Sequence, residues 1–226
     1  MEQSGPMIHF ENVTKEYELQ TALRDMTCSI EKGEMVFLTG PSGSGKTTML
    51  KLVYLAELPD QGNITISGWD TGSLKESSIP LVRRNIGVVF QDFRLLDNRT
   101  IFENIALALR IRNIGEREIK TRVYEALKTV NLRHKADSYP RRLSGGEQQR
   151  IVIARAIVAE PTVLLADEPT GNLDPDTAVD VLKTFKDIHA KGTTILIATH
   201  NRELYMNSGK RVLRLQAGSL VSQEVC

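Results

Sequence analysis

The chain has 226 residues, of which 41% are hydrophobic and 25% are charged. This composition is ordinary for a globular protein, and the length allows a core that needs no metal or disulfide. The 29 basic residues nearly balance the 28 acidic ones, which argues against a nucleic-acid binder. Cys28 and Cys226 fit neither a disulfide framework nor a zinc spacing, so we expect a reducing, cytoplasmic compartment with Cys28 in the core.

No apolar run reaches the roughly 18 to 20 residues that a membrane-spanning helix needs. The first six residues are short and polar, and they lack the pattern of a signal peptide. We interpret residues 1–6 as a non-native or disordered segment, with Met7 as an alternative natural start. Any role at a membrane is therefore expected to come through a partner protein.

Predicted strands and helices alternate along the first part of the chain. Apolar alternation predicts one strand at Ile8–Val13 and a second within Ala22–Ile30. A buried strand at Met35–Thr39 leads into a Gly/Ser loop and then a helix from about Lys46 to Leu55. Two further strands are predicted at Asn63–Ser67 and Ile86–Phe90.

The pattern changes after residue 91. From about Asp92 to Ile157 the strand signal is weak, and side chains recur at helical spacing. The two faces are Ile101, Ile105, Leu109 and Arg112, and then Val123, Leu127 and Val130. The strands resume at Val163–Asp167, Thr194–Ala198 and Val212–Leu215, with a helix from about Asp176 to Ala190 between the first two.

Buried strands that alternate with helices predict an α/β fold. We expect a mainly parallel sheet with helices on both faces, an N-terminal antiparallel β flank and an inserted helical subdomain. The predicted organisation is one domain over residues 7–226, with a β core from 7–91 and 158–226 and a helical subdomain from 92–157.

A glycine-rich loop follows the predicted strand Met35–Thr39. It reads Gly40-Pro41-Ser42-Gly43-Ser44-Gly45-Lys46-Thr47 and fits the P-loop pattern G-x-x-x-x-G-K-[ST] between a strand and a helix. Such glycines let backbone N–H groups point at phosphate, and the helix N-terminus adds positive potential. Lys46 is predicted to contact the β- and γ-phosphates, Thr47 to bind Mg²⁺ and Thr48 to reach the α-phosphate side. A loop that merely turns the chain is the alternative.

Two adjacent acids end the predicted strand Val163–Asp167. Neighbouring side chains at a strand end diverge, so Asp167 suits direct or indirect contact with Mg²⁺ and Glu168 suits the polarisation of an attacking water. Ordinary surface acids are the alternative. Ligands of parallel sheets bind beyond the carboxyl ends of the strands, where both the glycine loop and this acid pair are expected to lie, and this favours a phosphate and Mg²⁺ site of the P-loop NTPase type.

Residues 143–150 read LSGGEQQR and open a predicted helix. Ser144 is a plausible N-cap, and Glu147 completes a capping box. Together with the glycine loop and the acid pair, this stretch resembles the signature L-S-G-G-Q/E of the ABC ATPase family. The resemblance covers the chain from about Ile8 to Leu220.

The resemblance implies roles for four further residues. Gln91 is similar to the glutamine that touches Mg²⁺ and the attacking water, and His200 to the switch histidine that contacts the γ-phosphate. Asp174 resembles the D-loop aspartate. Tyr17 resembles the aromatic residue that stacks on adenine, although residues 18–20 lack the glycine that often follows it. An ordinary surface tyrosine is the alternative.

The family resemblance also implies a homodimer. In ABC ATPases the signature of one chain closes over the nucleotide held by the glycine loop of another. Ser144, Gly145 and Gly146 are thereby implied to meet ATP bound to a second copy. The chain has one loop and one signature, 98 positions apart (144 − 46), so two composite sites need a head-to-tail pair. ATP is expected to close this dimer, and hydrolysis to release it.

Two stretches narrow the choice within the family. Residues 90–106 and 166–174 are similar to the cell-division branch, and the second stretch is shared with lipoprotein-releasing and macrolide-export ATPases. The run Leu95–Thr100 favours the division branch. That branch implies an integral membrane partner, attachment at the cytoplasmic face of the membrane, and signalling to cell-wall hydrolases without a carried substrate.

Alternatives to this interpretation remain at two levels. An export ATPase shares the chemistry and differs in its partner, whereas a DNA-associated ABC ATPase is disfavoured because no sustained heptads separate the two motifs. If the chain belongs to the cell-division branch, Phe93, Leu95 and Leu96 are expected near the membrane partner, with Phe93 lining a docking groove. A core position for these three residues is the alternative.

Overall fold

The computed structural model describes residues 5–18 and 20–226. Residues 1–4, which belong to the predicted non-native or disordered segment, lie outside the described residues. The strands are β1 (Ile8–Tyr17), β2 (Gln20–Ile30), β3 (Met35–Thr39), β4 (Gln61–Ile66), β5 (Trp69–Asp70), β6 (Ile86–Val89), β7 (Val163–Asp167), β8 (Thr194–Ala198), β9 (Arg211–Gln216) and β10 (Ser219–Val225). The α-helices are α1 (Lys46–Val53), α2 (Ile79–Arg83), α3 (Ile101–Arg110), α4 (Glu116–Thr129), α5 (Gly145–Ile157) and α6 (Pro175–His189).

The strands form two sheets. The first has the order β2-β1-β4-β5 and is antiparallel throughout. The second has the order β10-β9-β3-β8-β7-β6, in which β10 is antiparallel and the other strands are parallel. The strands β3 and β8 are buried at every position, as expected where both faces of a parallel sheet are covered. The predicted α/β class with an antiparallel N-terminal flank is confirmed.

Three α-helices, α3 to α5, lie between β6 and β7. In α3, the predicted face of Ile101, Ile105 and Leu109 is fully buried, and a capping box begins the helix at Thr100. Arg112 was predicted on the same face but lies beyond the end of α3, where the chain has already turned. We propose that residues 92–157, which contain these helices, form the helical subdomain expected from the sequence.

Several element ends differ from the sequence predictions. The strand β1 continues to Tyr17 rather than ending at Val13, because it pairs with β2 on one side and β4 on the other. Helix α1 ends at Val53, since Leu55 adopts a positive φ of 58°. The short elements β5 and α2 and the final strand β10 were not predicted.

Cys28 is buried, as predicted, and burial raises the pKa of its thiol to about 11. Both cysteines are free. In residues 5–18 and 20–226, no helix combines the length and the apolar character required to cross a membrane.

Candidate nucleotide-binding site

One cavity of about 680 Å³ brings most of the predicted site residues together. Its wall contains residues 41–48, which form the glycine loop and the start of α1. Gln91, Asp167, Glu168 and His200 line it from the carboxyl ends of β6, β7 and β8. Tyr17 lines it from the end of β1. The ends of β6, β7 and β8 meet at one edge because these three strands are parallel neighbours in the second sheet.

The loop conformation requires glycine at its two ends. Gly40 has a φ of 148°, and a Cβ there would lie 2.3 Å from the carbonyl oxygen of Leu215. Gly45 has a φ of 102°, and a Cβ there would lie 2.5 Å from the carbonyl oxygen of Ala22. Gly45 is also the N-cap of α1, and no side chain caps that helix. The N–H groups of the first turn therefore have no side-chain acceptor and suit an anion.

Lys46 lies folded over the glycine loop. Its side chain is largely buried, with 7% of the residue exposed. The ammonium group donates hydrogen bonds to the carbonyl oxygens of Gly40 at 2.8 Å and Pro41 at 3.1 Å. A full positive charge therefore lies at the glycine loop, next to the N-terminus of α1.

Asp167 combines a carboxylate with a neighbouring hydroxyl. Burial raises the pKa of Asp167, while a hydrogen bond with Thr47 and the charge of Lys46 act in the opposite direction. Within the described residues, no cluster of three or more His, Cys, Asp or Glu side chains is arranged to hold a metal ion. Asp167, the Thr47 hydroxyl and the Gln91 amide supply hard oxygen ligands to one cavity, as Mg²⁺ prefers when phosphates complete its shell.

Glu168 and His200 form a pair that the sequence did not predict. The His200 Nδ1 lies 2.9 Å from Glu168 Oε1, and the His200 backbone N–H donates to Glu168 Oε2 at 3.3 Å. Glu168 itself has a positive φ of 45°, and its N–H donates to the carbonyl oxygen of Ala198 at 2.8 Å. Strained backbone of this kind persists where its surroundings hold it. The carboxylate is thereby fixed at the cavity wall.

Tyr17 lines the cavity and is 38% exposed. Its hydroxyl donates a hydrogen bond to the carboxylate of Glu57. Burial, and then this hydrogen bond, raise the pKa of Tyr17. An exposed aromatic face beside a phosphate-type loop is suited to stacking on a flat base.

Comparisons with known proteins show which family the chain belongs to. A family model described as "ABC transporter" matches residues 23–171. The chain belongs to the ABC transporter family. The cell-division ATP-binding protein FtsE of Bacillus subtilis is 50% identical over 221 residues, covering 96% of each chain. FtsE of Escherichia coli strain K12 is 46% identical over 215 residues, covering 95% of this chain and 97% of the relative.

A solved ABC cassette shares the fold. The dimeric post-hydrolysis state of the ATP-binding cassette MJ0796, bound to ADP and phosphate, superposes with a TM-score of 0.88 at 34% identity. The match covers 97% of this chain and 98% of the cassette. The prediction that the chain is an ABC-type ATPase is confirmed.

The ABC signature lies apart from the cavity in its own chain. Ser144, Gly145 and Gly146 are absent from the described cavity lining. Ser144 is exposed and begins α5 with the predicted capping box, in which its hydroxyl accepts from Glu147 N–H at 3.3 Å. The hydrogen bond from Ser144 N–H is the largest cause of the lowered pKa of Glu147. The start of α5 therefore forms no part of the lining of the cavity that holds the glycine loop.

Asp174 caps α6. Its carboxylate accepts hydrogen bonds from Thr177 N–H at 3.0 Å and the Thr177 hydroxyl at 2.7 Å, which lower its pKa. Like the signature, it does not line the described cavity. The signature and the start of α6 are adjacent, since a Cβ at Gly146 would lie 2.2 Å from Thr177 Cγ2. Glycine at position 146 lets the starts of α5 and α6 approach closely.

A second cavity, here called the arginine groove, lies beside β6. Its volume is about 590 Å³, and every charged residue that lines it is an arginine. These are Arg83, Arg84, Arg94, Arg112 and Arg155. Phe90 and Ile111 contribute apolar surface, and Ile111 is 70% exposed.

Phe93, Leu95 and Leu96 follow Gln91, but none of the three lines the arginine groove as described. Phe93 and Leu95 are half-buried against the larger core cluster, whereas Leu96 is exposed. The groove wall is formed instead by Phe90 and Arg94, whose guanidinium lies 4.1 Å from the Phe90 ring centroid. Phe93 and Leu95 therefore pack against the core, while the expectation that Phe93 lines a docking groove for a membrane partner stays a prediction.

Sequence reasoning missed three residues near the site. Gln20 and Ala22 line the nucleotide cavity from β2, and Glu57 binds the Tyr17 hydroxyl. No local motif marks them. Their positions follow from how the antiparallel sheet and the loop after α1 meet the glycine loop.

Proposed function

We propose that two copies of this chain close around ATP and drive a conformational change in an integral membrane partner during cell division. The supporting observation is the separation of two ATP-binding features. The cavity holds Lys46 and the glycine loop, whereas Ser144 starts a helix that lies outside it. A second copy can supply that helix to complete each site.

Each residue of the cavity has a separate role in the proposed hydrolysis of ATP. Lys46 and the N–H groups of α1 hold the β- and γ-phosphates, and Tyr17 stacks on the base. Glu168, fixed by His200, accepts a proton from the attacking water as general base. His200 also donates to the γ-phosphate side as charge develops. Gln91 orients the water.

The same residues fit a magnesium ion. Thr47, Gln91 and Asp167 would hold it together with phosphate oxygens. When bound, Mg²⁺ neutralises charge that develops on the transferred phosphoryl group. The rest of the proposed mechanism depends on side chains of this chain and of its second copy.

Replacing Ser144 with alanine tests the role of the signature. We expect Ser144→Ala to lose ATP-induced dimerisation, because its hydroxyl and helix start no longer fit the partner copy's γ-phosphate. Thr100→Ala is the matched control, since Thr100 forms the same capping box with Glu103. Each change removes a cap worth about 1 kcal/mol.

The measurement compares thermal stability and ATP-dependent mass for the two variants. The proposal predicts that both variants lose a similar amount of thermal stability. It also predicts that only Ser144→Ala fails to dimerise with ATP. Equal ATP-dependent dimerisation in both variants contradicts it.

The proposed membrane partner is FtsX-like, because the similar proteins named above are cell-division ATP-binding proteins. The arginine groove supports a docking role, since exposed apolar surface beside unopposed positive charge is typical of a protein interface. We place the chain at the cytoplasmic face of the plasma membrane, held there through this partner. In this role it transmits force that regulates cell-wall hydrolysis and carries no substrate.

Helix α5 joins the two proposed contact surfaces. It begins at the signature, and near its other end Arg155 donates hydrogen bonds to the carbonyl oxygens of Phe93 at 2.9 Å and Arg94 at 2.6 Å. Both carbonyls follow Gln91 closely in sequence. A movement at the ATP-bound dimer interface can therefore reach the arginine groove through one helix.

Substitutions in the groove test the partner. We expect Arg94→Glu and Ile111→Glu to abolish co-purification of the chain with a membrane protein from detergent-solubilised membranes. The expected membrane protein has four spans and a large extracytoplasmic loop. Arg94→Glu reverses a charge in the groove, and Ile111→Glu adds a charge to its apolar surface. Neither residue lines the ATP cavity. Val179→Glu is the control, because Val179 is 64% exposed on α6 and does not line the groove.

Three outcomes separate the candidates. Loss of the membrane protein in the groove variants alone supports docking at the groove. Full recovery with both variants contradicts it. Recovery of a lipoprotein-releasing or export permease in place of the four-span protein would assign the chain to the transport branch.

A further inference from the structure

Tyr17 is held at its hydroxyl by a charged network. Glu57, in the loop after α1, accepts a hydrogen bond from the Tyr17 hydroxyl through Oε2. Its other oxygen lies 3.0 Å from the ammonium of Lys51, which belongs to α1. Glu57 therefore connects the end of β1 to the helix that begins at the glycine loop.

The rest of that loop is attached to the same strand. Asp60 accepts from the backbone N–H of Glu16 at 2.7 Å and from the ammonium of Lys15 at 3.0 Å. The Asp60 N–H in turn donates to the carbonyl oxygen of Thr14 at 3.0 Å. Two acids of one short loop thus bind the last four residues of β1, at backbone and side chain.

Two cations also lie beside the aromatic ring. The ammonium of Lys15 lies 5.7 Å from the Tyr17 ring centroid, and that of Lys51 lies 5.9 Å from it. Both distances fall within the range of cation–π attraction. The ring is therefore restrained at its hydroxyl and along its side, although 38% of the residue is exposed.

We propose that Glu57 is a positioning residue for ATP binding, which holds the Tyr17 ring in the orientation that stacks on the base. This inference rests on the proposed stacking role of Tyr17. An exposed side chain that must be ordered on binding lowers affinity, and a tether present beforehand removes that cost. Because Lys51 and Lys46 lie on the same helix, the network also fixes the distance between the base end and the phosphate end of the site.

The protonation states favour the tether. Burial opposes ionisation of Glu57, but the hydrogen bonds from Tyr17 and Lys51 outweigh it and lower its pKa. The pKa of Tyr17 is raised. The pair is thus a neutral phenol that donates to a carboxylate, which is the stronger class of hydrogen bond.

The experiment measures binding of two probes to the full-length chain. Mg-ATP contacts the base end and the phosphate end, whereas inorganic tripolyphosphate with Mg²⁺ contacts the phosphate end alone. The variants are Glu57→Ala, Glu57→Gln, Tyr17→Phe, Tyr17→Ala and the double variant Tyr17→Phe/Glu57→Ala. Glu116→Ala is the matched control, because Glu116 forms an ion pair with Arg110 at 3.0 Å and lies on α4.

We expect Glu57→Ala and Tyr17→Phe each to weaken ATP binding about three- to tenfold, through loss of the same tether. The double variant should be no weaker than either single one. Glu57→Gln should bind ATP more tightly than Glu57→Ala, since its amide oxygen still accepts the phenol hydrogen bond. Tripolyphosphate binding should stay within twofold of wild type, and the KM for ATP should rise while kcat holds.

Different results would contradict the positioning role of Glu57 and the stacking role of Tyr17. Unchanged ATP affinity in Glu57→Ala, equal losses in Glu57→Ala and Glu57→Gln, or an equal loss of tripolyphosphate binding overturns the positioning role. Wild-type ATP affinity in Tyr17→Ala overturns the stacking role on which the proposal rests. A loss in Tyr17→Ala alone, with Glu57→Ala and Tyr17→Phe unchanged, retains stacking and removes the tether.

Discussion

Glu168→Gln is expected to bind ATP at wild-type affinity and to hydrolyse it about a hundred- to ten-thousand-fold more slowly, the range that a general base contributes. The amide has nearly the same shape as the carboxylate and can still accept the His200 N–H. It cannot take a proton from water. The measurement is single-turnover hydrolysis of Mg-ATP, with binding determined separately.

Glu203→Gln is the control for this change. Glu203 is exposed near the same strand ends and does not line the described ATP cavity. It should keep wild-type turnover. Wild-type turnover in Glu168→Gln would reject the role of Glu168 as base, whereas a loss of ATP binding would show that the substitution disturbs the cavity itself.

Lys46→Ala is expected to weaken ATP binding about ten- to a hundredfold, in line with the loss of a hydrogen bond to a charged group. The ammonium is largely buried and fixed over the loop by two carbonyl oxygens. The side chain therefore loses little further conformational entropy when phosphate oxygens replace those carbonyls. The backbone donors of α1 remain and should leave residual affinity. Equilibrium binding of Mg-ATP measures the change.

Lys128→Ala serves as the charge control, because Lys128 is exposed on α4, away from the cavity. Removing one positive charge there should leave ATP affinity unchanged. Equal affinities for Lys46→Ala and the wild type would contradict the assignment of the glycine loop as the phosphate site. Equal losses in both variants would assign the effect to net charge.

The buried strands were predictable to the residue. The runs Met35–Thr39, Val163–Asp167 and Thr194–Ala198 coincide with β3, β7 and β8, because a strand covered on both faces leaves a continuous apolar run. The capping boxes at Thr100 and Ser144 are equally local signals, and α3 and α5 begin at them. Such elements are fixed by neighbouring residues.

Other elements depended on pairing between distant segments. The full extent of β1 follows from its pairing with β2 and β4, and β10 exists as an edge strand on β9. Every residue of the strand β10 is exposed or half-exposed, so its pattern carries little apolar signal. Local periodicity cannot indicate where such strands end.

The candidate site shows the same division. The glycine loop, the acid pair and the signature are contiguous motifs, so their chemistry could be read directly. The contacts between Glu168 and His200, 32 positions apart, and between Tyr17 and Glu57, 40 positions apart, arise only when the strands are placed side by side. The first could have been inferred from adjacent parallel strands, and the second could not.

The mass of Glu168→Gln in solution shows most directly whether two copies of the chain enclose the nucleotide. Light scattering after size exclusion should give twice the 25.2 kDa mass of the chain with Mg-ATP and the single mass without nucleotide. Adding Ser144→Ala should return the ATP-loaded protein to the single mass. A protein that binds ATP and stays monomeric at high concentration, with or without its membrane partner, would contradict the proposal that two copies enclose the nucleotide.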